Sequence, residues 1–449
     1  MKKTFLLVFG GLFSLGLAQN QQWSLEQMVA YAKQHNLNLQ QNRINTQLID
    51  NRVTAANRQK LPTVSASIGN GLIAGVQGVP ITNSNQQYVG KTNGFQLYQN
   101  SLSVSANMLL YNHGRLKLNE EKAKLDAQAA QEDLKALENQ LTLQILNQYL
   151  NVLLQKELVL NFQQKLKLSE NQLEQTQKLF NGGAIPLSNV YESKTQLARS
   201  KQNVATAEVN VQEALFNLAQ LLQLKDTESF DVLTLNLSED PQQLIDNIDQ
   251  VIAHAYQNQP RIKNAEIKAQ SSLKEIELAK TEFWPSLSAS YGIGTNYRAY
   301  LNKGIDSDRL FDQWWNNHTH NFGLNLNIPI FNKNLTKLNV ENAELQAQMA
   351  EKDIEIKKQQ LKEEIQKAYF NTSSNYQKFI AVQEAVKSAE VSMDFAQKSL
   401  DAGKITLYDF NQAAERLFSA KSELLQAKYN YIFSLKVLDF YLDKPITFN

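Results

Sequence analysis

The sequence contains no cysteine. This excludes disulfide bonds, thiolate metal sites, thiol catalysis and a lipid-bearing N-terminal cysteine. Net charge is also nearly absent, +1 from 45 basic and 44 acidic residues, and no basic stripe with interleaved aromatic residues points to nucleic acid as a partner. Nucleophile elbows, phosphate loops and zinc-protease motifs are missing too. We therefore expect neither an enzyme nor a cofactor-binding protein.

Histidine is scarce, with five residues in the chain. The one close pair, His318 and His320, would need a third ligand to hold a metal ion firmly. No such ligand lies nearby in sequence, so no metal site is expected. The carboxylate pairs Glu120–Glu121 and Glu363–Glu364 are most simply solvated helix faces.

Long apolar runs are missing after the N-terminus. Residues 1–18 combine Lys2 and Lys3 with an apolar core and the small-x-small sequence Gly16-Leu17-Ala18, which predicts a secretory signal peptide. A membrane-anchor helix would need about 20 apolar residues, and this core is shorter. We expect a mature chain that begins near Gln19, lies outside the cytoplasm and has no transmembrane helix.

One long pattern occurs twice in the chain. A helical pattern breaks at residues 181–187, where Gly182, Gly183 and Pro186 predict a helical hairpin tip, and a similar break recurs at 401–407. Nine of the sixteen residues in 118–133 are identical to those 220 positions later. This ordered recurrence predicts two structural repeats, residues 19–240 and 241–449.

Each repeat combines strands with a helical hairpin. Residues that alternate between apolar and small polar predict strands at about 62–73, 101–111, 285–295 and 321–331. Residues 74–100 and the segment around Trp314 and Trp315 are expected to be loops. Helical hairpins are predicted at about 114–224 and 334–441, and Ser24 with Gln27 predicts a capping box before them. The fold class is therefore mainly α with a small β part.

The strands indicate where the protein lies. One face of each strand is apolar and uncharged, and the other carries Ser, Thr, Asn and Gly. This alternation is typical of a membrane barrel, and it disfavours a soluble sandwich because the polar face lacks Lys and Glu. Four strands are too few to close a barrel, and an open edge is not viable in lipid. The chain must oligomerise, and two or three copies would supply eight or twelve strands.

The duplicated order of helix, x-Pro, strand, loop, strand, long helix, Gly hinge and helix resembles the TolC-type outer-membrane efflux channels. The residues that carry the resemblance are both tips and the stretches Leu61-Pro62-Thr63-Val64-Ser65, Trp284-Pro285-Ser286-Leu287-Ser288 and Leu110-Tyr111-Asn112-His113-Gly114. The resemblance implies a homotrimer, with an α-barrel tunnel across the periplasm and a twelve-stranded transmembrane β-barrel in outer-membrane lipid. It also implies two partners, a periplasmic adaptor and an inner-membrane pump of the RND or ABC type.

The resemblance also suggests a pore constriction. In the family, aspartates just after each hinge face the pore at the periplasmic entrance. Asp409 matches one of these positions, while Asn189 and Gln412 stand where the family has further aspartates. Leu400 replaces a tyrosine that holds the entrance shut in the best-known member. The competing interpretation of Asp409 is a helix-start carboxylate favoured by the helix dipole.

The two tips have two interpretations as well. Their glycines are helix caps, and their exposed apolar residues predict a surface on which the adaptor docks. The residues concerned are Gly182, Gly183, Ile185, Leu187, Gly403, Lys404, Ile405 and Leu407.

These observations predict a passive exit duct, through which an energised partner moves drugs, metal ions or polypeptides. The alternative is a trimeric coiled-coil structural or adhesion protein anchored by a small β-barrel. Conductance in a planar bilayer separates the two hypotheses.

Overall fold

The computed structural model describes residues 22–78, 80–82, 87–91, 93–227, 229–234, 247–301 and 307–444. The predicted signal peptide lies outside these residues. Packing divides the chain into two compact units: unit 1 comprises residues up to Arg43, Asp133–Ile262 and residues from Lys357 onward, and unit 2 comprises Ile44–Glu132 and Lys263–Ile356. Each unit draws on both halves of the sequence. The division into two repeats concerns duplication rather than packing, and it stays a prediction.

Helices dominate the described chain. They are α1 (Leu25–His35), α2 (Leu37–Arg58), α3 (Arg115–Asn181), α4 (Leu187–Leu222), α5 (Ile248–Asn258), α6 (Pro260–Lys280), α7 (Leu310–Asn316), α8 (Leu335–Asp401) and α9 (Leu407–Tyr441), with a 3₁₀ turn at Thr281–Phe283. The strands are β1 (Gln22–Trp23), β2 (Thr63–Gly75), β3 (Pro80–Thr82), β4 (Tyr88–Lys91), β5 (Phe95–Tyr111), β6 (Asp231–Val232), β7 (Ser286–Tyr300) and β8 (Thr319–Asn327).

Side-chain caps explain how the first helices begin. The backbone N–H of Gln27 donates to Ser24 Oγ at 3.3 Å, and the N–H of Ser24 donates to Gln27 Oε1 at 3.0 Å, so the predicted capping box is present. Asn36 separates α1 from α2, and its Oδ1 accepts from the N–H groups of Asn38 and Leu39 at 3.0 and 3.2 Å. One asparagine therefore ends α1 and caps α2.

The core of unit 1 lies between long helices. One cluster joins α1, α3 and α4 and includes Met28, Ile145, Tyr149 and Leu218, all fully buried. A second cluster joins α5, α6, α8 and α9.

Polar contacts establish the order of the four long helices in unit 1. Asn161 Nδ2 in α3 donates to Ser422 Oγ in α9 at 2.9 Å, and Asn375 Nδ2 in α8 donates to the carbonyl of Asn430 in α9 at 3.3 Å. Helix α3 also forms a hairpin with α4. The order is therefore α4–α3–α9–α8.

Unit 2 contains a four-stranded antiparallel sheet with the order β2-β5-β7-β8. Its apolar face is exposed, with 68% of Val64, 70% of Ile68 and 73% of Phe322 accessible. On the opposite face, hydroxyl groups pair across strands, for example Ser67 Oγ with Ser103 Oγ at 2.7 Å. The sheet therefore has the two-faced character that the strand alternation predicts.

The structure corrects three details of the sequence-based assignment. Residues 74–100, expected to be a loop, contain the first part of β5, the end of β2 and the β3-β4 hairpin. Strand β8 ends at Asn327, so Ile328 and Ile330 are not in a strand, because Pro329 has no N–H to donate to a ladder. The expected loop around Trp314 and Trp315 contains α7.

Candidate functional site

The two hairpin tips close with the same backbone geometry. Gly183 and Gly403 have φ of +73° and +68°. The N–H of Ala184 donates to the carbonyl of Leu179 at 2.9 Å, and the N–H of Lys404 donates to that of Ser399 at 2.8 Å. These are the 6→1 hydrogen bonds of a Schellman cap. A Cβ on either glycine would meet nothing within 4 Å, so the left-handed backbone alone favours glycine.

The tips differ in the helices that follow them. Pro186 begins α4 without a side-chain cap. Thr406 begins α9 with a capping box, in which an oxygen of Asp409 accepts from the Thr406 hydroxyl at 2.7 Å and from its backbone N–H at 3.1 Å. The hydrogen bond from the Thr406 side chain, and then that from its backbone, lower the pKa of Asp409 below 3.8. Asp409 is thus both an exposed carboxylate and the cap of its helix.

The apolar residues of the tips are also unequal. Leu187 is 49% exposed, whereas Leu407 is only 7% exposed and belongs to the core. Ile185 and Ile405 are half-buried, and Lys404 is exposed. Of the two leucines predicted to dock a partner, only Leu187 is accessible on the chain itself.

The structure brings Gln412 and Asp409 together on the first turns of α9. Gln412 Nε2 donates to Tyr408 Oη at 2.8 Å, and Arg416 Nη2 donates to Gln412 Oε1 at 3.1 Å. Sequence reasoning missed Arg416, although its spacing of four from Gln412 was a usable signal. Asn189 is half-buried at the start of α4, and its backbone N–H donates to Pro186. Within the described residues it shares no hydrogen bond with Asp409.

A buried polar seam holds α3 to α4. Ser169 Oγ lies 2.8 Å from Ser200 Oγ, and Thr176 Oγ1 lies 3.1 Å from Ser193 Oγ. All four residues are at most 6% exposed, and the two pairs are one heptad apart. The corresponding positions in α8 and α9, 220 residues later, are Ala389, Ala420, Ala396 and Ala413. The same hairpin geometry is therefore built with hydroxyl pairs in one copy and alanine in the other.

An ion pair joins the two hairpins. Lys165 of α3, with only 5% of its side chain exposed, contacts the carboxylate of Glu415 in α9. Sequence reasoning could not find this pair, because nothing local relates positions 250 residues apart.

The histidine pair is used in local contacts. His320 Nδ1 lies 2.7 Å from Tyr291 Oη, and His318 Nδ1 lies 2.5 Å from the carbonyl oxygen of Trp315. Among the described residues no cluster of three or more His, Cys, Asp or Glu side chains could hold a metal ion. None of the described helices is long and apolar enough to cross a membrane.

Comparison with known proteins identifies the family. The family described as "Outer membrane efflux protein" matches residues 29–223 and 251–442. The chain belongs to this family. The predicted resemblance to TolC-type outer-membrane proteins is confirmed, and the predicted classes, outer-membrane protein and efflux transport, are those of the family.

Individual relatives share modest identity with the chain. Outer membrane protein TolC of Escherichia coli K12 is 24% identical over 298 residues, which cover 66% of this chain and 59% of that protein. The alkaline protease secretion protein AprF of Pseudomonas aeruginosa is 26% identical over 167 residues, 37% of this chain and 33% of its own. The chain thus matches less than two thirds of each of these relatives.

Solved structures agree along nearly the whole chain. The crystal structure of CusC superposes with a TM-score of 0.77 at 19% identity, covering 96% of each chain. The outer membrane protein VceC of Vibrio cholerae gives 0.71 at 17% identity, covering 93% of this chain and 94% of that one. These likenesses confirm the fold class, long helical hairpins with a small β part.

Proposed function

We propose that this chain forms an outer-membrane channel-tunnel, a passive duct through which an energised partner exports its cargo. The observation that carries the proposal is the sheet of unit 2, with its exposed, uncharged apolar face and its opposite face of Ser, Thr, Asn and Gly. Lipid would cover the first face and water the second. A passive duct has no catalytic step, and no motif for one was found in the sequence.

The free edges of the sheet support assembly into a ring. The outer strands are β2 and β8, and in a four-stranded antiparallel sheet they run in opposite directions. Joining β8 of one copy to β2 of the next therefore keeps every neighbouring pair antiparallel. Three copies would give twelve strands and leave no edge in the membrane. Such a contact joins two different surfaces, as a closed ring requires.

The outer helices of unit 1 support the same arrangement. Helix α4 exposes Val209 and Phe216, seven residues apart, and α8 exposes Val391 and Phe395, four apart. Spacings of seven and four are those of a coiled-coil seam. We propose that α8 of one copy packs on α4 of the next, which makes the helices of a homotrimer into a tunnel in the periplasm.

The tips would form the periplasmic entrance. Two tips per copy give six in a trimer, with Asp409 contributing an acidic ring that attracts cations at short range. We propose that the tip with Leu187 is the main apolar contact for a periplasmic adaptor, which would connect the duct to an inner-membrane pump of the RND or ABC type. The names of AprF, a protease secretion protein, and CusC, a cation efflux protein, support cargo as different as polypeptides and metal ions.

Conductance in a planar lipid bilayer tests the duct. The purified protein should give discrete channel openings, whereas a structural or adhesion protein should give none under any condition. Asp409→Asn should weaken cation preference, and Asn189→Ala should leave it unchanged. Thr406→Ala is the matched control, because it removes the cap and keeps the carboxylate. Equal changes in Asp409→Asn and Thr406→Ala would indicate that Asp409 acts only as a cap.

Crosslinking tests the docking surface. A photoreactive residue at position 187 should crosslink to a co-expressed periplasmic adaptor. The same residue at position 160 is the control, because Leu160 is 59% exposed but lies far along α3 from the tip. Crosslinks of equal yield at both positions would contradict a specific role for the tip.

A further inference from the structure

Helix α7 covers an edge that β8 leaves open. Strand β8 begins level with Gly294 of β7, so β7 residues beyond that point have no strand partner on this side within the described chain. Gln313 Nε2 donates to the carbonyl of Arg298 at 2.9 Å, and the N–H of Arg298 donates to Gln313 Oε1 at 2.9 Å. One side-chain amide thus takes the place of a neighbouring peptide group.

Further contacts fix α7 along the same edge. Thr295 Oγ1 donates to the carbonyl of Trp314 at 2.7 Å, and Asn317 Nδ2 donates to that of Asn296 at 3.0 Å. The helix is therefore attached by three residues at successive positions along β7. Because these bonds hold its polar side against the strand, its apolar side is turned away.

The side that is turned away is aromatic. Phe311 is 76% exposed and Trp315 is 79% exposed, and they lie one helical turn apart, whereas Gln313 is 9% exposed. Two large aromatic residues on a seven-residue helix, next to a buried polar anchor, are unusual for a surface that stays in water.

Trp315 continues onto the apolar face of the sheet. Its ring lies 6.2 Å from that of His318, which lies 5.8 Å from that of His320, which lies 6.1 Å from that of Tyr291. Tyr291 pairs in register with Phe322. A continuous row of rings therefore runs from α7 to the exposed apolar face.

We propose that α7 is an interfacial anchor, with Phe311 and Trp315 inserted among the lipid headgroups at the outer boundary of the membrane. The proposal rests on the proposed function, since it requires lipid on the apolar face. Trp, Tyr and His have apolar bodies and polar tips and are favoured where hydrocarbon meets water. A lipid surface suits a patch that extends the apolar face and contains polar ring nitrogens.

The opposite end of the sheet provides a ruler. There the rings of His113 and Trp284 stack at 4.2 Å, and Trp284 is 53% exposed. Trp284 and Thr295, where α7 is attached, are eleven residues apart. At the usual strand rise and barrel tilt, this separates the two aromatic groups by about 28 Å along the membrane normal. An outer-membrane barrel has an apolar band about 25 Å tall between its aromatic girdles.

Depth-dependent fluorescence quenching tests the anchor. The chain has four tryptophans, Trp23, Trp284, Trp314 and Trp315, so single-tryptophan variants are made by Trp→Phe changes. Each full-length variant is reconstituted in phosphatidylcholine vesicles brominated either near the headgroup or near the chain end. Trp315 should be quenched strongly by bromine near the headgroup and weakly by bromine near the chain end.

Trp284 separates failure of the anchor from failure of the proposed function. Quenching of Trp284 without quenching of Trp315 would overturn the anchor and leave the membrane sheet standing. If neither is quenched, the sheet itself does not enter the bilayer. A Trp315 that both bromolipid and aqueous acrylamide fail to quench would be covered by a second copy, which also overturns the proposal. Should Trp314→Phe prevent folding, a variant retaining Trp314 and Trp315 is compared with one retaining Trp314 alone.

Discussion

Lys165 and Glu415 form an ion pair whose two ends are unequally buried: 5% of the lysine side chain is exposed, against 61% of the glutamate. The charge that depends on the pair is therefore that of Lys165. Removing the partner of a buried charge is much more costly than removing the charge itself, because the unpaired charge stays out of water.

We therefore expect Glu415→Gln to destabilise the protein by about 3 kcal/mol, and Lys165→Met by about 1 kcal/mol or less. The measurement is the midpoint of denaturant unfolding, followed by helical circular dichroism in detergent. The double variant should resemble Lys165→Met alone. Equal losses from the two single changes would show that Lys165 does not depend on Glu415.

The hydroxyl seam of the first hairpin is replaceable as a pair. Ser169→Ala should cost about 1–3 kcal/mol, because it leaves the buried Ser200 hydroxyl without its partner. The double change to Ala should be close to neutral, since both polar groups are then gone and the second hairpin already has Ala389 and Ala420 at these positions. Unfolding midpoints of the two single variants and the double variant decide this, and an additive double variant would contradict it.

The two tip glycines should respond alike. Gly183→Ala and Gly403→Ala should each cost about 1 kcal/mol, because an L-residue is strained in the left-handed region even where its Cβ has room. Gly182→Ala is the matched control, since Gly182 is not among the positive-φ residues and a Cβ there would make only ordinary contacts, at 3.6 Å. A loss of stability in Gly182→Ala equal to the others would point to crowding at the tip instead of backbone strain.

The cap formed by Asp409 should make stability depend on pH. Its pKa in the folded protein lies below the ordinary value of 3.8, so the unfolded chain takes up a proton first as the pH falls. The stabilisation is therefore fully present above about pH 4 and is lost as the pH falls through the folded pKa. Asp409→Asn and Thr406→Ala should both be less stable than the unchanged protein near neutral pH.

That difference should shrink when unfolding is measured at about pH 3, where the unchanged protein has begun to lose the same interaction. Asp394→Asn serves as the control, because Asp394 forms only an exposed ion pair with Lys398. A difference that stays constant across this range would mean that the charge of Asp409 does not stabilise its helix.

Regular elements with strong local signals could be predicted from the sequence. The Ser24 capping box, the long helices and the alternating strands all depend on neighbours close in the chain. The upper part of β5 could not be predicted, because residues such as Gln96, Tyr98 and Asn100 do not alternate between apolar and polar. Its ladder to β7 depends on pairing with residues about 200 positions away.

The candidate site shows the same limit. The glycines and Asp409 were found because a tip repeats at a fixed interval. The burial of Leu407, the Lys165–Glu415 pair and the hydroxyl seam were not, because each depends on which helix faces which. A duplication makes equivalent positions easy to recognise and hides that Leu187 and Leu407 now have different surroundings.

The order β2-β5-β7-β8 and the order α4–α3–α9–α8 each leave two unlike edges on one chain. A subunit with unlike edges cannot end its own assembly, because every added copy presents the same edge again. Contacts inside a copy stay the same however many copies join. The number of subunits would then depend only on the angle between neighbours, so exchanging small for large residues along α4 or α8 offers a route to rings of a different bore.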